Sequence, residues 1–93
     1  MKNSCFLAIE RHDPGDPCAV DEILNPVDVF MRYIGFKTRE EAIEAMKARM
    51  PKRKLWKAKD RKDSFYHKWV TSDGKMAHIR TYYDIVIIVM EGE

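Results

Sequence analysis

The chain reads as an α+β protein in which an antiparallel sheet of about four strands carries two helices packed on one face, and three observations predict it. An Asp73-Gly74 pair stands between two alternating runs, Thr38-Arg39-Glu40-Glu41 opens an apolar-periodic stretch, and continuous apolar runs lie near both ends of the chain. Length places all of it, residues 1–93, in a single small domain.

The first apolar run covers residues 4–10 and stops at His12-Asp13-Pro14-Gly15-Asp16-Pro17. A short continuous run before such turn chemistry suits a strand buried on both faces, and two prolines with a glycine exclude helix and ladder alike from the loop. Asn25-Pro26 then has the form of a helix start, with Asn25 as N-cap, Pro26 at the first helical position and Asp28 facing the positive helix end. Val27, Phe30, Met31 and Ile34 supply an apolar stripe, and Gly35 falls where a left-handed residue ends a helix. The second helix follows from the capping box of Thr38 and Glu41, with Ala42, Ile43, Ala45, Met46 and Met50 inward and Pro51 as terminator.

Residues 52–63 alternate poorly and are highly charged, which fits a lysine-protected edge strand or an ordered loop. The Asp-Gly turn next sets a hairpin register, because a two-residue turn of this kind needs φ > 0 and fixes what lies opposite what. Counting outward pairs Val70 with Ala77, Trp69 with His78, Lys68 with Ile79, His67 with Arg80, Tyr66 with Thr81 and Phe65 with Tyr82. One face then carries Val70, Ala77 and Ile79 and reads as core. The other carries Phe65, Trp69 and Tyr82 beside His67, His78 and Arg80, a mixture suited to a binding surface or to the seat of a helix. The last run, residues 85–90, reads as a central strand beside the first.

Composition is that of an ordinary soluble protein, and no apolar run approaches the ~18 residues of a membrane span, so a cytoplasmic location and no membrane partner are expected. Cys5 and Cys18 do not make a disulfide framework and read as reduced thiols. The formal net charge of +2 conceals a division. Residues 1–45 hold nine acids and five bases, residues 46–93 six acids and twelve bases, and nine bases between Lys47 and Lys62 meet only Asp60. A polarised surface follows.

That basic segment is the leading candidate for chemistry. Lys52, Arg53, Lys54, Lys57, Lys59, Arg61 and Lys62 can neutralise successive phosphates, and Trp56 can stack on an unpaired base. Joined to Phe65, His67, Trp69, His78, Arg80 and Tyr82, it would set rings beside a phosphate track, the scheme of sheet-based RNA binders. The plainer alternative is a solvated helix end and a charged edge strand, with the rings in the core. Neither the glycine-aromatic ribonucleoprotein signature, zinc-finger spacing nor a KH-type Gly-x-x-Gly loop is present.

His12, Asp13, Asp16 and Cys18 form the sole dense ligand cluster, yet Asp-Pro-Gly-Asp-Pro is ordinary turn composition, and neither a metal nor another cofactor is expected. His67 and His78 would be diagonal neighbours on the hairpin, a pair able to act as general acid and base in metal-independent RNA cleavage, but no nucleophile or glycine-rich phosphate loop accompanies them. Glu40, Glu41 and Glu44 fit the helix dipole and capping box as well as they fit a docking face. The expectation is therefore a non-catalytic binding module contacting nucleic acid through residues 47–62 and the aromatic hairpin face. A protein-binding adaptor or inhibitor on the same face, of the kind small bacterial or phage-encoded proteins supply, is the alternative, and a histidine-pair nuclease the third option. Homodimerisation through edge strands or the aromatic face also fits a domain this small.

Overall fold

Two strands pair along ten consecutive positions to form the spine of the molecule. In the computed structural model, β1 (Lys2–Arg11) runs antiparallel to β5 (Ala77–Glu91), from Lys2 opposite Glu91 to Arg11 opposite Tyr82. The structure describes residues 2–12, 17–70, 74 and 77–91, with side chains over 4–12, 17–68, 74 and 81–89. On one side of this spine lies β2 (Glu22–Ile23); on the other lie β4 (Ser64–Val70) and then the edge strand β3 (Leu55–Lys57). The order is β2-β1-β5-β4-β3, and every pairing is antiparallel.

One helix, α1 (Arg39–Arg49), covers one face of this sheet. The class is thus α+β as the sequence predicts, but the described residues hold five strands and one helix rather than about four strands and two helices. The capping sequence behaves as read: Thr38 Oγ1 accepts from the Glu41 N–H at 3.1 Å, and the Glu41 carboxylate reaches back to the Lys37 N–H at 3.0 Å. Ala42 and Met46 face inward onto Ala8, Phe65, Tyr83 and Ile85 and form the buried core. Arginines fasten both helix ends, Arg39 to Asp63 at 3.0 Å and Arg49 to Glu10 at 3.3 Å and Glu22 at 3.0 Å.

The missing helix is the one expected from Asn25 onward. Asn25 is buried and serves as a piece of strand edge rather than an N-cap: its Oδ1 accepts from the Ala8 N–H at 2.9 Å, and its Nδ2 donates to the carbonyls of Phe6 at 3.0 Å and Ile34 at 2.9 Å. Leu24 precedes it with an N–H to the Ala8 carbonyl, and Phe36 follows with reciprocal bonds to Phe6, both at 2.9 Å. The chain between them leaves the sheet edge and returns as a narrow loop. Asp28 closes its tip by accepting from the N–H groups of Phe30 and Arg32, so the carboxylate expected at a helix start organises a turn instead. Gly35 is required by proximity, not as a helix stop, since a Cβ there would lie 2.5 Å from the Cys5 Cβ. Replacement of Asn25 by alanine removes this partner from the Ala8 N–H and the Ile34 carbonyl, while the Phe6 carbonyl keeps the Phe36 N–H, and unpaired buried groups cost about 1–3 kcal/mol each. Chemical denaturation of Asn25→Ala is expected to show a loss of about 3 kcal/mol, well beyond an ordinary surface substitution.

Candidate functional site

The hairpin register holds near the turn and then slips. Val70, Trp69 and Lys68 pair with Ala77, His78 and Ile79 as predicted, and Gly74 has the positive φ of 73° that the turn demands. Between Lys68 and His67 the partner strand carries one extra residue, Arg80, so that His67 lies opposite Thr81, Tyr66 opposite Tyr82 and Phe65 opposite Tyr83. Such a bulge moves every following side chain of β5 to the other face relative to its expected partner.

This corrects the predicted binding face. Phe65 and His67 are buried beneath α1, where they are closed to a partner approaching the sheet. The His67 ring meets Tyr83 edge-on, with Nδ1 and the phenol oxygen 3.0 Å apart, while Nε2 has no hydrogen-bond partner among the described residues. Burial, aided by the nearby Arg53 charge, pushes the His67 pKa down against a smaller opposing effect of Glu10. Burial likewise raises that of the Tyr83 phenol. Tyr82, in contrast, is thrown onto the helix-free face and is exposed. The side chains of Trp69, His78 and Arg80 lie outside the described part, and with His67 in the core the histidine pair acquires no common surface from its placement.

The same slip builds a row that the sequence does not announce. Arg11 of β1 pairs with Tyr82, Tyr82 with Tyr66, and Tyr66 with Trp56, so these four side chains stand side by side across four strands on the helix-free face. At ~4.8 Å between strands the row is roughly 14 Å long. Two lysines attend its outer end, Lys54 Nζ at 4.1 Å and Lys68 Nζ at 4.2 Å from the centre of the Trp56 ring. Residues 58–63 carry exposed Lys59, Arg61 and Lys62 past its other flank.

Between that loop and the row lies a cleft of about 720 Å³, lined by Arg11, Tyr82 and Tyr66 of the row, by Lys59 and Arg61 of the loop, and by Ser64 and Asp84. Arg11 is fixed within it by Asp84 at 2.7 Å and Asp21 at 2.9 Å. Burial opposes ionisation of Asp84, but hydrogen bonds from Ser64 at 2.6 Å and from Arg11 outweigh it and hold the carboxyl below its ordinary range. The His12 N–H and ring, together with Arg11, hold the Asp21 carboxyl well below its ordinary range.

The predicted basic segment divides. Arg53 donates to the Lys68 carbonyl at 3.3 Å, on the way from helix to sheet, and Lys57 Nζ reaches the Arg61 carbonyl at 3.4 Å. Lys52 is exposed just after the helix, whereas Lys54, Trp56, Lys59 and Arg61 border the row or its cleft. Of the suspected metal ligands, Asp13 and Asp16 lie outside the described residues, His12 is bound to Asp21 and Cys18 is exposed, and no group of three metal-ligating side chains occurs among the described residues. No described helix is long and apolar enough to cross a membrane.

A second surface has no counterpart in the sequence pattern. The expected inner stripe of the missing helix, Val27, Phe30, Met31 and Ile34, is exposed on the loop that follows Asn25, with Phe30 at 73% and Met31 at 78%, and Val29 beside it is exposed at 90%. Comparison with protein-family models, with curated proteins and with solved structures gives no match to this chain.

The depressed His67 pKa has a measurable consequence. The unfolded chain takes up a proton on this ring near the ordinary pKa of 6.5, and the folded chain does so only at lower pH. Its contribution to stability is therefore complete above about pH 6.5 and is lost as the pH falls below it, by at most ~1.4 kcal/mol per pH unit down to the folded pKa. Denaturation free energies measured from pH 7.5 down to 5 are expected to fall below about pH 6.5 in the native chain, by no more than this slope, and to fall less steeply in His67→Gln.

Proposed function

We propose that the chain is a non-catalytic binding module that takes single-stranded nucleic acid on its helix-free sheet face. The observation that carries this reading is the cross-strand row Arg11–Tyr82–Tyr66–Trp56, flanked by Lys54, Lys68, Lys59 and Arg61. Rings on an open sheet stack on unpaired bases regardless of sequence, while lysine and arginine beside them follow the phosphates. A base on Trp56 would take the place of the two ammonium groups, freeing them for phosphate oxygens. Duplex is disfavoured as a ligand, because its bases are already stacked and offer no open π-face.

Specificity within this class would come from the acids that line the cleft. Asp84 and Asp21 are ionised acceptors beside Arg11, a set able to hydrogen-bond a base edge but repelling a phosphate. The phosphates are accordingly assigned to the Lys59–Lys62 side and the bases to the row. An adaptor or inhibitor role is the second reading, favoured by the exposed apolar tip at Val29, Phe30 and Met31, since a protein interface centres on such groups.

Fluorescence titration with short single-stranded oligonucleotides at two salt concentrations tests the proposal. Binding is expected to weaken with salt, and Tyr82→Ala or Trp56→Ala to cost about 1–3 kcal/mol, roughly five- to 150-fold in affinity. Lys59→Ala is expected to lower the salt slope by about 0.7. Absence of single-strand binding at low salt, or binding indifferent to both ring substitutions, overturns it.

A further inference from the structure

We infer that the β5 edge beyond Ile85 is a pairing site for a second copy of this chain, joining two sheets into one across a two-fold axis. The inference is independent of the nucleic-acid reading, because this edge lies beyond the strand pairs that build the aromatic row.

β4 accompanies β5 only as far as Ser64 opposite Asp84, and one further bond, from the Ile85 N–H to the Asp63 carbonyl at 2.8 Å, closes that side. From Val86 to Glu91, β5 is paired with β1 alone among the described residues. Main-chain groups alternate sides along a strand. Since Ile85 turns its N–H away from β1, Ile87 and Val89 do the same, and their N–H and C=O groups face outward with no strand beside them among the described residues. The side chains here are apolar on both faces: Ile87, Ile88 and Val89 are exposed at 42%, 38% and 57%. Neither lysine, proline nor bulge protects the run, the devices by which edge strands are ordinarily kept apart.

Three properties select a second copy as the occupant. A strand added here must be apolar on both faces to continue the ones it extends, and β5 itself is such a strand. Residues 85–90 carry no charge, so two copies meet without like-charge repulsion. An antiparallel pair of identical strands is also self-complementary and closes as a dimer instead of propagating. The outward groups fix the register. Ile87 of one copy lies opposite Val89 of the other and Ile88 opposite Ile88, which sets apolar groups against apolar groups. In this register the pairing ends with Val86 opposite Met90, short of Ile85, whose N–H is already given to Asp63; a register centred on Ile87 would need that N–H for its Ile85–Val89 pairs, and one centred on Val89 would need Glu91 against Ile87.

The experiment combines mass in solution with amide hydrogen exchange on the full chain, native and Val89→Lys. The native chain is expected to have dimer mass, with the Ile87 and Val89 amides as slow to exchange as those of Ile88 and Met90, which bond to β1. Val89→Lys places an ammonium at the new strand pair; it is expected to be monomeric at concentrations where the native chain is dimeric, with the amides of Ile87 and of the substituted position exchanging fast and that of Ile88 still slow. A monomeric native chain overturns the inference, as does a native dimer with fast Ile87 and Val89 amides or a folded Val89→Lys chain that remains dimeric. Should Val89→Lys fail to fold, the mass and exchange pattern of the native chain decide by themselves.

Discussion

One surplus residue, Arg80, determines which aromatic groups of this protein are core and which are surface. Because side chains on a strand alternate with a period of two, a single extra position in β5 exchanges faces for everything that follows it relative to β4. Without the bulge Tyr82 would share a face with Phe65 and Tyr83 with Tyr66. With it, Tyr83 enters the core beneath α1, where it meets His67 and Phe65, and Tyr82 joins Tyr66 on the open side. Core and candidate binding row are consequences of the same local irregularity, so neither can be altered at this point without the other.

The sheet is finished on its two sides by different means. Next to β3 a charged loop turns the chain, and Arg39 holds the end of that loop to the helix through Asp63. On the side of β1 away from β5 no complete neighbour strand exists among the described residues, and the edge is assembled from the two residues of β2, the side-chain amide of Asn25 and the main chain of Phe36. An asparagine can stand in for a strand because its amide offers the same donor and acceptor as a peptide group. The excursion between Asn25 and Phe36 is thereby left outside the layered core, which is why apolar side chains there are exposed.

The faces divide the work of the molecule. The helix side holds Ala42 and Met46 against Ala8, Tyr83 and Ile85 and supplies stability. The helix-free side presents the Arg11–Tyr82–Tyr66–Trp56 row, with its cations at the outer end and around the cleft. The charge asymmetry of the sequence is also resolved spatially: Glu10 and Glu22 from the acidic half neutralise Arg49 from the basic half, whereas Lys59 and Arg61 remain at the cleft. A basic run thus contributes partly to holding the helix and partly to the candidate interface.

Local chemistry by itself determined the elements whose signals are satisfied within a few residues. The Thr38 capping box, the Pro51 stop, the positive φ of Gly74, the pairs from Val70–Ala77 to Lys68–Ile79, and the adjacency of the two apolar strands are all found as the sequence predicts, whereas Asp73 and the predicted Ser72–Lys75 and Thr71–Met76 pairs lie outside the described residues. Tertiary structure alone decided the rest, for reasons that lie far along the chain. Asn25-Pro26 is a good helix start in isolation, but the amide is worth more to the unpaired edge of β1, 17 residues away in sequence, than to a short helix. The bulge has no local marker in residues 79–81; it places the large apolar Tyr83 under α1 while leaving the ionised Asp84 beside Arg11 in the open. The open row was therefore illegible in sequence, since its members come from four strands and share a face only after that shift.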